Sequence, residues 1–280
     1  IVIFGVNAAG GFDNVIDNAE SMAGYFSLSH IHNTVTGEAD KYSLLTITSI
    51  LAWGLGYFGM PHILLRFMAI EDKNKIKTSR RVASVWVVIS MAIAILIGFI
   101  GNVLSKSGKL EILSNSDSEK IVIKLAQYMG EHNYGLAIIA GLVFAGILAC
   151  TMSTSDSQLL AASSSMSENI LKGVFNIKLS DKASMIVARV ILLAIAVFGI
   201  ILAWDKDSSV FRVVSFAWAG FGATFGPVML AALFWKRSNK WGAIAGLIVG
   251  AVMVFLWKFV IAPIGGIFAI YELLPAFICA

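Results

Sequence analysis

Six apolar runs, each at least as long as the roughly 20 residues a helix needs to cross a bilayer, constrain this chain more than any other feature. They are Ser43–Ile70, Val82–Leu104, Tyr134–Ser165, Ser184–Trp204, Val210–Trp235 and Trp241–Ala262. Residues Ile1–Gly11 read as the last turns of a further span, and Gly265–Ala280 as the start of another. Because the chain starts and stops inside apolar segments, further membrane segments are expected beyond both ends. Composition agrees. Hydrophobic residues make up 58% and charged ones only 14%, with mean hydropathy +0.83, whereas soluble domains carry about 25% charged residues. The expected class is an all-α integral membrane protein embedded in a lipid bilayer.

The basic pI of 9.0 does not imply nucleic acid. Lys and Arg fall in short loops between the apolar runs, which is a signature of membrane orientation. Eleven lie in Glu71–Arg81, Met166–Ala183 and Lys236–Lys240. The alternate connections, Phe12–Tyr42, Ser105–Asn133 and the tight turn Asp205–Ser209, hold six, together with eleven acids. The short basic loops are therefore expected on the cytoplasmic side. Within Ser105–Asn133, the residues Ile121, Val122, Leu125 and Met129 keep helical spacing and predict a short surface helix over Asp117–Met129. Cys150 and Cys279 both sit in apolar runs and imply no disulfide framework.

One span departs from the pattern. Ala52–His62 holds Gly54, Gly56, Gly59 and Pro61 within a run that should cross the membrane. Glycine weakens a helix by about 1 kcal/mol and proline by about 3 kcal/mol. A broken backbone at membrane depth is tolerated only where protein or a watery cavity satisfies it. The stretch is expected to be an interrupted helix lining a binding site. Trp53, Tyr57 and Pro61, at i, i+4 and i+8, would share one helical face. The plainer reading of the two aromatics is an interfacial belt. His62 reads as structural, Arg66 as a helix-end charge on the inner side, and the glycine-rich run Trp218–Pro227 as close helix packing first and a gate second.

The other informative stretch is Ile147–Leu160. The carbonyl of Cys150 and the hydroxyls of Ser153 and Thr154 stand at i, i+3 and i+4 and can aim three oxygens at one point. Neutral oxygens suit a hard cation such as sodium, but three are too few to close a site. The bland alternative is that Ser and Thr bond their own helix or a neighbouring one. Asp156 is an ionisable residue in a spanning segment. It reads either as part of an ion path or as a side chain snorkelling at the cytoplasmic end, and proton coupling through it is a further option. The sequence shows no metal-ligand cluster, nucleotide fingerprint or nucleophile paired with a base, so no enzyme activity is expected.

The segments L-A-W-G-L-G-Y-F-G-M-P-H-I-L-L-R-F-M-A-I, M-S-T-S-D-S-Q-L-L and V-S-F-A-W-A-G-F-G-A-T-F-G-P resemble the sodium:solute symporter family, and most closely its proline-transporting bacterial members. The likeness runs along nearly the whole chain. It implies two inverted repeats of five helices with a site between them. Residues 43–235 would form the second repeat, 1–11 the end of the first, 12–42 an extracytoplasmic loop, 241–262 an additional helix and 265–280 the start of a further one. It implies sodium-coupled uptake of proline by alternating access, in the cell inner (plasma) membrane. Trp53, Tyr57 and Pro61 would contribute to the proline site. The Cys150 carbonyl, Ser153 and Thr154 would contribute to the sodium site. The family's first broken helix lies in the missing first-repeat helices, so this chain would hold half of each site and would not transport alone. Alternatives are another amino acid or a monocarboxylate as solute, or a symporter-like sensory module of a signalling protein.

Overall fold

The computed structural model describes residues 1–113, 115–177, 180–204 and 209–280. Among the described residues, its regular secondary structure is helical apart from one small hairpin. The elements are α1 (Val2–Ala8), α2 (Phe12–Glu20), β1 (His30–His32), β2 (Ala39–Lys41), α3 (Leu44–Ala52), α4 (Pro61–Met68), α5 (Lys75–Lys106), α6 (Ile121–Gly130), α7 (Tyr134–Ser164), α8 (Asp181–Leu202), α9 (Val210–Phe234), α10 (Lys240–Leu256) and α11 (Leu273–Cys279). Among the described residues, five helices are long and apolar enough to cross a membrane, namely α5, α7, α8, α9 and α10 with their extensions. Within the most apolar stretch of α8 no residue is buried, so that surface needs lipid or protein to cover it. The chain divides into two compact units, residues 1, 3–5 and 104–209 in one and residues 2, 6–103 and 210–280 in the other.

In the first unit α6 packs on α7 and α7 on α8. The expected surface helix is present as α6, preceded by a 3-10 turn over Asn115–Lys120, and it buries Leu125, Ala126 and Met129. Asn133 starts α7 by accepting the Leu136 N–H at 2.9 Å. Two lysines of the long loop are ion-paired locally, Lys120 with Asp117 and Lys124 with Glu111, each at 2.5 Å. The Lys120 hydrogen bond and charge hold the Asp117 carboxyl below its usual range. The loop expected over Met166–Ala183 is helical for its first half. The chain continues from α7 into π-helical winding over Ser165–Val174, where Met166 and Ile170 extend the apolar spacing past Ser165. Ser180 then caps α8 by accepting the Ala183 N–H. Of the turn Asp205–Ser209, only Ser209 is among the described residues, and its hydroxyl donates to Glu119 at 2.6 Å.

The second unit is built around α9, which packs against the interrupted segment, α10 and α11. Its core is Ala219, Ala223, Val254, Leu273 and Ala276, with Phe216, Trp218 and Phe277 against it. Small residues on α9 let the neighbouring backbones come close. Pro227 stands inside α9 and has no N–H to give the carbonyl of Ala223. Gly250 of α10 lies against that carbonyl, so close that a Cβ there would stand 2.5 Å from the Ala223 oxygen. Gly250→Ala is therefore expected to overpack the α9–α10 contact at about 1–3 kcal/mol. The check is the thermal midpoint of the purified protein, which should fall.

The polar connection 12–42 is more ordered than its sequence suggests. Val15 and Ala19 of α2 are fully buried. Tyr25 and Phe26 pack on Phe99 of α5 with ring centroids 5.5 and 5.8 Å apart, and burial raises the Tyr25 phenol pKa. Strands β1 and β2 pair antiparallel with Ile31 opposite Asp40. At the other end, Gly265–Ala280 is not a single helical start. It forms a 3-10 turn over Gly266–Ala269, an extended residue at Ile270, and then α11, which returns against α9 and α10.

Candidate functional site

The run Ser43–Ile70 is interrupted where its glycines and proline lie. Ser43 caps α3 by accepting the Thr46 N–H at 3.0 Å. The helix tightens to 3-10 winding over Trp53–Gly59, becomes extended at Met60 (φ −80°, ψ 112°), and restarts as α4 at Pro61. The glycines have separate duties. Gly54 faces open space. A Cβ on Gly56 would run into the indole of Trp218, and one on Gly59 into the backbone of Phe221 and Gly222. Gly222 in turn faces the backbone of Gly56. The run Trp218–Pro227 thus does pack closely, and its partner is the interrupted segment.

The 3-10 winding changes the expected geometry. Three residues per turn leave positions four apart about a third of a turn from each other. Trp53, Tyr57 and Pro61 therefore do not form one helical stripe. Trp53 and Tyr57 are instead brought together by Trp218 of α9. Trp53 is half-buried, and three rings lie nearly parallel to it. Phe211 is at 5.5 Å and 7°, Trp218 at 5.7 Å and 15°, and Tyr271 at 5.8 Å and 15°. Tyr57 meets Trp218 edge-on at 4.8 Å and 84°, and its own side chain is 52% exposed. The Trp218 indole N–H donates to the carbonyl of Trp53 at 3.0 Å, satisfying a backbone group next to the break. Pro61 is exposed at the start of α4. The side chains of His62 and Arg66 lie outside the described residues.

This arrangement is an aromatic wall beside a helix break. It offers apolar ring faces, whose quadrupoles also attract cations. Sequence reasoning missed Phe211 and Tyr271 and read Trp218 as part of a segment for close packing first and gating second. Phe211 and Trp218 are seven residues apart on α9, a spacing that puts them on one face, but nothing in the sequence aims that face at Trp53. Tyr271 is more than two hundred residues from Trp53 and had no local signal.

Cys150, Ser153, Thr154 and Asp156 lie in the other unit, on the unbroken helix α7, and all four are exposed. The helix keeps the Cys150 carbonyl, Ser153 and Thr154 on one face. A helical carbonyl bonded to its own helix retains a second lone pair. Three neutral oxygens on one face are the donor type that sodium takes, which is as far as the fit to an ion goes on α7 alone. The Thr151 hydroxyl donates to the Ile147 carbonyl at 2.9 Å, the ordinary use of a hydroxyl in a membrane helix. Among the described residues, no three His, Cys, Asp or Glu side chains gather as a metal site.

A model of the sodium:solute symporter family matches residues 1–250. A high-affinity proline transporter of Bacillus subtilis is 43% identical over 235 residues, covering 84% of this chain and 47% of its own length. A sodium/proline symporter of Haemophilus influenzae is 42% identical over 234 residues, covering 83% of this chain and 45% of its own. One of Escherichia coli is 39% identical over 237 residues, covering 84% and 45%. The chain therefore spans slightly under half the length of the curated relatives it matches. No solved structure matches it.

Proposed function

The chain belongs to the sodium:solute symporter family, and on that premise we propose that it forms part of a secondary active transporter coupling inward sodium movement to proline uptake by alternating access. Its long apolar helices make it a multi-pass membrane protein. The observation that carries the proposal is Trp53, placed at a helix break among three near-parallel rings, with Tyr57 exposed beside them. The relatives' names, proline transporter and sodium/proline symporter, support the solute and the ion.

Proline carries an apolar ring, a secondary ammonium and a carboxylate. The ring and the ammonium suit the faces of Trp53 and Tyr57. The carboxylate suits the first turn of α4, which opens at Pro61 with the positive end of its dipole. The carbonyl of Cys150 with Ser153 and Thr154 would supply three of the sodium ligands, and Asp156 would lie on the ion's way out. Both sites would be completed by helices of the first repeat, in an architecture of two inverted repeats. Sodium entry is worth about 2.3 kcal/mol per 100 mV of membrane potential. Coupling requires that sodium and proline raise each other's affinity by the same factor.

Equilibrium binding of labelled proline to the purified full-length protein tests the reading. Sodium should tighten proline binding and proline should tighten sodium binding equally. Identical proline affinity in sodium and in choline would sink it. For the ion site, Thr154→Ala is expected to raise the sodium concentration at half-maximal uptake by about tenfold. Membrane insertion should be unaffected. An unchanged sodium dependence removes Thr154 from the site.

A further inference from the structure

Tyr271 sits at a junction that the sequence did not reveal. Its ring stacks on Trp53, its backbone N–H donates to the Ser49 hydroxyl at 3.1 Å, and its own hydroxyl donates to the Ser215 carbonyl at 2.7 Å. Ser49 is one turn before Trp53 on α3. Ser215 lies between Phe211 and Trp218, on the α9 face that carries both rings stacked against Trp53. The Ser215 hydroxyl donates back to the Phe211 carbonyl at 2.7 Å, one turn earlier on α9. One residue thus touches the interrupted segment through its ring, the turn before it through its backbone, and the middle of the aromatic stripe facing it through its hydroxyl.

The segment carrying Tyr271 is itself anchored. Next in the chain is Glu272, buried, with Oε1 3.2 Å from the Lys258 ammonium and without a hydrogen bond of good geometry, so this contact is ionic. The Trp257 indole N–H donates to the Phe268 carbonyl at 3.1 Å. Both anchors come from the π-helical end that continues α10. Of the three rings stacked on Trp53, two belong to α9, and Tyr271 is the one delivered from elsewhere. It is held at its backbone, its ring and its hydroxyl.

We propose that Tyr271 is a positioning residue for solute binding, fixing the orientation of the Trp53 ring by bridging the turn before the helix break to the aromatic face of α9. It does not belong to the ion site, so its effect falls on solute affinity and leaves sodium dependence alone. The proposal rests on the reading of Trp53 as part of a proline site.

The test is uptake of radiolabelled proline by the full-length transporter in membrane vesicles. KM for proline, maximal rate and sodium half-saturation are measured for wild type, Tyr271→Phe and Tyr271→Ala. Tyr271→Phe keeps the ring and loses one hydrogen bond, and should raise the proline KM by about two- to tenfold. Tyr271→Ala loses the ring as well and should raise it by roughly tenfold or more. Sodium half-saturation, measured at proline concentrations saturating for each variant so that the coupling itself does not shift it, should stay within about twofold of wild type for both. Should the alanine variant fail to insert, the phenylalanine variant decides alone. A wild-type KM in Tyr271→Phe and any inserted Tyr271→Ala, or a parallel shift in sodium half-saturation, overturns the assignment while leaving the proposed function standing. A wild-type protein that takes up no proline overturns both.

Discussion

Trp53→Ala is expected to raise the KM for proline uptake by roughly thirty- to a thousandfold, or to abolish uptake at accessible concentrations, with normal amounts of protein in the membrane. Truncating an aromatic anchor packed in a binding site typically costs about 2–4 kcal/mol. Trp53 is more than a contact surface. Phe211, Trp218 and Tyr271 all lie within 5.8 Å of its ring centroid and nearly parallel to it. Its removal would strip each of them of a neighbour and leave a cavity in the wall. Trp53→Phe keeps an aromatic face of smaller area and should fall between wild type and alanine. The sodium concentration at half-maximal uptake, measured with proline brought to saturation, should move little, because the ion candidates lie on α7. An unaltered proline KM in Trp53→Ala would mean that the aromatic wall does not bind the solute.

Gly56→Ala is expected to be nearly as damaging, by a different route. A Cβ at Gly56 overlaps the Trp218 indole, and the neighbouring Gly222 backbone leaves no room to shift. Overpacking of this kind costs about 1–3 kcal/mol. It would push Trp218 off Trp53 and break the indole hydrogen bond to the Trp53 carbonyl. Uptake should drop at least tenfold, and the thermal midpoint of the purified protein should fall with it. Gly54→Ala is the informative comparison, since open space surrounds Gly54. If glycines in this stretch served only to weaken the helix, the two substitutions would behave alike. The packing predicts a much milder loss for Gly54→Ala.

The break in the membrane helix was legible because its cause is local. Three glycines and a proline inside one apolar run give the backbone little reason to stay α-helical, and Trp53–Gly59 winds as 3-10 before Met60 extends. The edges of α9 were legible to within a residue because its apolar run stops where charge begins, at Lys236. The way Trp53 and Tyr57 meet was not legible. Counting by 3.6 assumes the α winding that the same glycines remove, so the stripe expected from i, i+4 and i+8 gives way to a cluster centred on Trp218. The helix past Ser165 was missed because the polar residues Ser167, Glu168 and Asn169 resemble a loop in composition while Met166 and Ile170 keep an apolar edge. Tyr271 was beyond reach of any local pattern, since its place depends on the chain bending at Ile270 and returning against α9. On α7 the hydroxyls share a face by helical spacing alone, and their role as ligands depends on partners that spacing cannot supply.

The most direct measurement is accumulation of labelled proline by the full-length protein in sealed vesicles, first with an inward sodium gradient and then with choline replacing sodium. The account predicts accumulation above equilibrium only with sodium, competed away by unlabelled proline and lost when the gradient is collapsed. Accumulation that is the same in choline, or no proline uptake by protein that is correctly inserted and folded, would contradict it.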